Sequence, residues 1–406
     1  MTITLRPAAG WELPSLLAPY LERGNTIEIV GSGSKRAVGR PERGDVKVST
    51  ASMRGTFYYD SDDLVMGAHS GTAVAQIEAD LAGRGQMLPF EPLDIGPATG
   101  GSRNTQTIGA AFASDSSGPR SFVVGGCRDH LLGLEAVNGR GEVIRSGGRT
   151  SAAALGLNLG RLLAGSWGTL ACLTQVVFKV QPMPEDAMTL VYHGLIDELA
   201  IELMRDATRG DFNVTGAAHL TTGTAGRLAT ADLTSGGGSL TVIRIEQSRS
   251  LVIHQAERLT NALAVYGKPL RLDFAETFEL WSELRRLSVM PFDEGTALWN
   301  IKADPRDAAT LVRSISRHVP VEAYYDWAGG QIWLEVPARL DAGEYVVRRA
   351  TSVCRGDATL IRAAASVRDV VDVFQPQPPA IQALASRVKQ AFDPLDRFSP
   401  GRMTGR

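Results

Sequence analysis

The chain has 406 residues, too long for one ordinary core, so two or three domains are expected. A hydrophobic content of 44% with 21% charged residues is that of a globular chain with a sizeable interior. A net charge of −2 and a pI near 6.3 argue against a nucleic-acid-binding role. No apolar run reaches about 18 residues, so no transmembrane helix is indicated. The N-terminal stretch M-T-I-T-L-R-P-A-A-G lacks the basic start and apolar core of a secretory signal. Three cysteines, Cys127, Cys172 and Cys354, lie far apart with no C-x-x-C pair, which speaks against a chain-borne iron–sulfur cluster or structural zinc site. His69, His130, His193, His219, His254 and His318 are equally scattered. A cytoplasmic, metal-free chain is expected.

In chain order, Ile27, Ile29 and Val30 make a short β-type run. It ends in the loop G-S-G-S-K-R, residues 31–36. Glycine lets a backbone turn with positive φ and approach a ligand closely. Consecutive N–H groups in such a turn form a concave anion site. The loop fits neither G-x-G-x-x-G, because Arg36 stands where the third glycine belongs, nor the Walker A pattern, because no hydroxyl follows Lys35. Alone it reads first as a surface turn between strands, and a phosphate role needs corroboration elsewhere in the chain.

Leu64–Ala68 reads as a strand and 73–81 as a short amphipathic helix, with Ile77 and Leu81 four apart and Gly83 and Gly85 closing it. Residues 91–120 form a long glycine- and hydroxyl-rich stretch, uncommon inside a compact domain unless it serves a ligand. Leu131–Val137, N-G-R-G and Glu142–Arg145 predict a hairpin centred on Asn138-Gly139. The block 162–182 is a glycine turn feeding a buried strand, Leu173–Val180, and the Pro-rich 181–185 is the best domain boundary. Beyond it, strands are expected at 188–192, 239–246, 298–302, 321–327 and 331–336. Helices are expected at 196–208, 249–266, 276–288, 306–317 and 341–353. The interleaving suggests an α+β layer, a sheet covered on one face by helices. A last helix, about 378–391, leads into F-D-P-L-D-R-F-S-P-G-R-M.

Taken in order, I-V-G-S-G-S-K-R-A-V-G-R-P, R-G-Q-M-L-P-F-E-P, S-G-P-R, R-D-H-L-L-G, L-L-A-G-S-W-G-T-L and F-S-P-G-R-M resemble the FAD-binding domain of the vanillyl-alcohol oxidase and p-cresol methylhydroxylase (PCMH-type) superfamily. With L-W-N-I-K at 298–302 and D-W-A-G-G at 326–330, nearly the whole chain is similar to the family of FAD-binding subunits of bacterial glycolate oxidase (glycolate dehydrogenase). The resemblance implies an α+β fold: a PCMH-type domain of two α/β subdomains over 1–183, a smaller ferredoxin-like cap over 184–370, and a C-terminal helix and tail, 371–406, returning to the FAD domain. It assigns Gly31, Ser32, Gly33, Ser34 and Lys35 to the FAD pyrophosphate. It places Gly100, Gly101, Ile108, Gly109, Ser117 and Gly118 along the ribityl and phosphate path, and Leu173 at the adenine. Many superfamily members tether FAD to a histidine in the phosphate loop. Residues 28–41 hold none, so non-covalent FAD is expected.

The family usually carries K-N-V-x-G-Y-D-L where residues 152–159 read A-A-A-L-G-L-N-L, and G-G-H-A-T-L-x-R where 355–362 read R-G-D-A-T-L-I-R. Asp357 thus replaces a histidine suited to general-base work at neutral pH. The histidine cluster of related 2-hydroxy-acid dehydrogenases, H-x-G-D-G-N-x-H, has no counterpart here, so no catalytic residue is assigned. One reading is a flavin subunit of a glycolate-oxidising complex. A sister FAD-containing subunit would then hold the small 2-hydroxy acid, and an iron–sulfur subunit would carry electrons away, at the inner face of the membrane through those partners. The other is a non-catalytic scaffold or assembly subunit that keeps the flavoprotein fold. A stand-alone flavin oxidoreductase acting on another small alcohol or acid is a third.

Overall fold

The computed structural model describes residues 3–41, 43–148, 159–230, 233, 237–293, 295–339 and 341–403. The departure at 152–158 lies outside them. The chain divides into two compact units, Met1–Met183 with Pro376–Arg406, and Pro184–Gln375.

The first unit opens with a parallel sheet of β1 (Ile3–Leu5), β2 (Ile27–Val30) and β3 (Val46–Ser49) in the order β1-β3-β2. None of these strands exceeds four residues, too short for a period to stand out, and only β2 is legible in sequence. The helix Leu13–Glu22 turns Leu13 and Leu17 onto Ile27, Val46 and Val48. An antiparallel sheet follows, built from β4 (Thr56–Asp60), β5 (Val65–His69), β7 (Leu131–Asn138), β8 (Val143–Gly147) and β9 (Ala171–Lys179), ordered β4-β5-β9-β7-β8. β6 (Gln86–Met87) pairs separately with β10 (Gln181–Pro182). The helices Val74–Ala82 and Ile108–Ala113 supply Ile77, Leu81, Ile108 and Phe112 to a core shared with Phe90, Val176 and Phe178.

The expected hairpin exists, with Ala136 opposite Ile144 and Val137 opposite Val143. Its turn is not the two-residue Asn-Gly type. Gly141 takes the positive φ of 78°, and Asn138 Oδ1 accepts from the N–H groups of Arg140 and Glu142. A β-carbon at Gly139 would collide with Asp393, so that glycine serves a close approach instead.

The second unit carries β11 (Asp186–His193), β12 (Val214–Leu220), β13 (Leu240–Gln247), β14 (Leu270–Leu272), β15 (Thr296–Lys302), β16 (Glu322–Asp326), β17 (Gln331–Pro337) and β18 (Asp357–Arg362). They form one antiparallel sheet ordered β14-β11-β13-β12-β16-β17-β15-β18. With the helices Asp197–Arg209, Arg249–Ala262, Ala308–Ser316 and Glu344–Val353 between them, the order is β-α-β-β-α-β twice over. Each half has the ferredoxin-like arrangement. The expected cap is therefore two such layers sharing one sheet, joined edge to edge where His219 meets Tyr325 and Leu220 meets Tyr324. Helices also do not keep to one face. Trp299 and Tyr325 reach Ala342 and Asp197 on one side, whereas Trp281 of helix Phe274–Arg285 lies on the other, donating to Thr189 Oγ1 at 3.0 Å.

Candidate FAD-binding site

β2 and β3 end side by side, and ligands in parallel α/β layers bind beyond the carboxyl ends of the strands. Here the loop after Val30 opens a cleft lined by Gly31, Gly33, Ser34 and Lys35. Thr50, just past β3, and Ser70, just past β5, face it. Gly109, Ala110, Ala113 and Ser114 with the Trp167-Gly168 turn form the opposite wall, together with Ala171, Leu173 and Arg402. The cleft holds about 640 Å³ of non-atom space, solvent at its mouth included, which suits a nucleotide fragment rather than a single ion.

Packing explains why this loop is glycine-rich. A β-carbon at Gly31 would lie 2.5 Å from Thr107 Oγ1, and one at Gly109 would lie 2.5 Å from Ser70 Cβ. Gly33 is different: its φ is +90° and nothing stands within 4 Å of the missing β-carbon, so it faces open space in a conformation other residues adopt only with strain. Behind the loop, Thr99 Oγ1 donates to Ser34 O at 2.8 Å, and a β-carbon at Gly101 would lie 3.6 Å from Ser34 Cα.

The polar groups converge on an anion. Among the described residues, the backbone N–H groups of Ser32, Gly33, Ser34 and Lys35 donate to no protein acceptor. Ser34 Oγ and Ser70 Oγ are buried without a hydrogen-bond partner. Lys35 is only 6% exposed, and its Nζ donates to Ser114 Oγ at 2.8 Å. Burial draws its pKa down to about 7; Cys127, Asp94 and Asp115 oppose the shift. Cys127 does so only where its thiol ionises, and burial pushes that thiol well up. A buried ammonium beside free N–H donors is short of negative charge, and a diphosphate supplies it.

Of the residues singled out from sequence, Gly31, Gly33, Ser34, Lys35, Gly109 and Leu173 line this cleft. Ser32 is exposed, Gly101 lies behind the loop near Ser34, Gly100 closes the turn Pro97–Thr99 by donating to Pro97 O, and Ile108 is in the core. Ser117 Oγ accepts from Cys127 N–H, and Gly118 packs on the Phe90–Glu91 backbone, both away from the cleft. Sequence reasoning missed Thr50, Ser70, Ser114, Trp167 and Arg402. The blocks holding the last two, G-S-W-G-T-L and F-S-P-G-R-M, were visible. What hid their role is contact: the Arg402 guanidinium lies 5.5 Å over the Trp167 ring and donates to Lys35 O and Val38 O.

Asp357 opens β18, exposed and in register with Lys302. Among the described residues no group of three or more His, Cys, Asp or Glu is placed to hold a metal, and no helix is long and apolar enough to cross a membrane.

Comparison with known proteins agrees with the geometry. Residues 3–147 match the family described as FAD binding domain. The chain is 29% identical over 377 residues to the glycolate oxidase subunit GlcE of Escherichia coli, covering 93% of this chain and 92% of the relative. It is 30% identical over 181 residues to the glycolate oxidase subunit GlcD of Bacillus subtilis, covering 44% and 37%. Among solved structures, substrate-bound p-cresol methylhydroxylase superposes with a TM-score of 0.75 at 14% identity, over 99% of this chain and 88% of that one. Alkyldihydroxyacetonephosphate synthase does so with a TM-score of 0.70 at 14% identity, over 98% and 76%. At that identity the likeness is one of fold.

Proposed function

We propose that this chain, a relative of FAD-dependent oxidoreductases that carries an FAD-binding domain over residues 3–147, is the FAD-binding subunit of a complex oxidising a small 2-hydroxy acid such as glycolate. The observation that carries the reading is near full-length similarity, in both directions, to a glycolate oxidase subunit, in a chain whose anion loop has unused donors. Gly31, Gly33, Ser34 and Lys35 hold the diphosphate, Ser70 and Ser114 face it, and Leu173 borders the adenosine end. FAD supplies two-electron redox chemistry when bound. The chain's residues bind and orient it, and Trp167 with Arg402 close the wall against water. The loop has no histidine, so the flavin is held without a covalent bond. Electrons leave through partners, a sister FAD subunit and an iron–sulfur subunit, since the three cysteines are scattered.

A second reading, a scaffold with a degenerate catalytic site, draws on Asp357 at the position where the family carries histidine. One spectrum separates the two. Purified chain absorbing at about 450 nm, with all flavin released by acid precipitation, supports the first. Colourless chain that still co-purifies with its partners supports the scaffold. Gly33→Val is expected to lose most of its flavin, because the side chain enters the cleft from a strained backbone. Unchanged flavin per protein would sink the loop assignment.

A further inference from the structure

The chain has six lysines, and Lys35 alone among them is buried. A buried ammonium is ordinarily matched by a carboxylate. Among the described residues, none bonds to Lys35. Its Nζ donates to the Ser114 hydroxyl at 2.8 Å. The two carboxylates that favour its charged form are engaged elsewhere: Asp115 pairs with Arg128 Nε at 2.9 Å, and Asp94 accepts from the Gly96 and Asn104 N–H groups. Ser114 only accepts from the amine, because its own hydroxyl proton goes to Ala110 O at 2.7 Å. The bond to Ser114 therefore uses an N–H and leaves the lone pair of the uncharged amine unengaged. With burial holding the pKa near 7, that uncharged form is well populated at neutral pH.

The amine stands at a cleft, not in a closed core. Lys35 and Ser114 both line it, and no Asp or Glu is among its described lining residues. A desolvated lysine without a counter-ion is the arrangement from which imines with carbonyl compounds form. The surroundings choose the carbonyl compound. The loop N–H groups donate to no protein acceptor, and Ser34 Oγ and Ser70 Oγ are buried without a partner, so the cleft favours a carboxylate. We infer that Lys35 is a modification site: before flavin binds, its amine condenses reversibly with a small aldehyde that carries a carboxylate. The nitrogen lone pair attacks the aldehyde carbon, a C–N bond forms and the carbonyl oxygen takes up a proton. Loss of water then leaves the imine, and no oxidant or reductant is consumed. Oxidation of glycolate at its CH2OH carbon yields such an aldehyde acid, so the source of the compound rests on the function proposed above; the site itself rests on the unpaired amine and the unused donors. The carboxylate takes donors that the diphosphate needs. Adduct and FAD therefore exclude each other, and free aldehyde acid opposes the loading of the subunit with flavin.

The test uses the full chain freed of flavin, incubated at about pH 7 with glyoxylate and cyanoborohydride, which reduces an imine to a stable secondary amine. Peptide mass spectrometry then reads each lysine. A carboxymethyl group on Lys35, roughly tenfold or more above the other five lysines, is expected, because those are mostly charged at that pH. Adding FAD first should suppress the label, and labelled chain should fail to take up FAD. Acetaldehyde, which lacks the carboxylate, should label Lys35 roughly tenfold less. Label spread evenly over the lysines, label at Lys35 indifferent to FAD, or equal labelling by acetaldehyde each overturns the inference. Selective labelling of Lys35 in a chain whose assembled complex does not oxidise glycolate upholds the site and removes that source of the aldehyde. Glycolate oxidation by a complex whose flavin-free chain stays unlabelled at Lys35 does the reverse.

Discussion

Lys35 shows how a single residue can be named from sequence while its behaviour depends on its surroundings. Its place after G-S-G-S suggested a phosphate contact, but nothing in the chain order told that it would be enclosed, bonded to Ser114 seventy-nine positions away. Enclosure sets a pH dependence. The ligand-free pKa is about 7, against 10.5 for the free side chain, and a bound diphosphate favours the ammonium. FAD binding therefore takes up a proton above pH 7. Affinity should be level below about pH 7 and weaken as pH rises, by up to tenfold per unit. Lys35→Met should bind FAD roughly 10- to 100-fold more weakly, the scale of a charge-assisted hydrogen bond, with no such slope. Fluorescence titration of the apoprotein from pH 6 to 9 checks both; a slope surviving in the variant would assign it elsewhere. The sign for stability follows the same proton. Between pH 7 and 10.5 the unfolded chain holds the proton that folded apoprotein has shed, so ligand-free stability rises with pH across that window.

At the scale of elements, the C-terminal segment decides whether the loop is held. Helix Pro379–Phe392 is exposed along most of its length, yet the residues after it are bound tightly to the first unit. Ile27 N–H donates to Arg397 O and Ser399 N–H to Ile27 O, so the segment runs beside β2 at the strand that carries the loop. Phe398 is fully buried among Leu13, Leu17, Ile27 and Val48. Lys389 Nζ ties the turn together, donating to Thr169 O, Phe398 O and Asp393 Oδ2. Phe398→Ala should cost about 3–5 kcal/mol in denaturant unfolding, the usual range for a buried phenylalanine, and should lower flavin retention as β2 loses its neighbour. A loss below about 1 kcal/mol would show that the site collapses around the cavity and that the segment matters less than its contacts indicate. F-S-P-G-R-M stood out as a block in sequence. Its pairing with β2, more than 360 positions earlier, did not, because no local pattern encodes a parallel contact made by backbone groups.

For the whole molecule, the chain order predicts two independently built units, one inserted into the other. The inserted unit has its own core and a single sheet whose halves are tied by Thr221 Oγ1 donating to Ala323 O and by Tyr325 donating to Asp197. Residues 184–375 expressed alone should fold cooperatively, with tryptophan fluorescence and far-UV circular dichroism reporting one shared transition. Two separated transitions would mean that the halves are held more loosely than this bonding implies. Residues 1–183 alone should not reach a stable state, since Phe398 of the returning segment completes their core. Composition, the type of the longer elements and the glycine-rich loop after β2 were determined by the sequence itself, because helix periodicity, strand alternation and glycine-driven turns are local properties. The doubling of the ferredoxin-like layer, the enclosure of Lys35, and the closing of the cleft by Trp167 and Arg402 were decided only in the tertiary structure. Each arises from which distant groups are brought together, and burial and hydrogen-bond satisfaction exist only once they are.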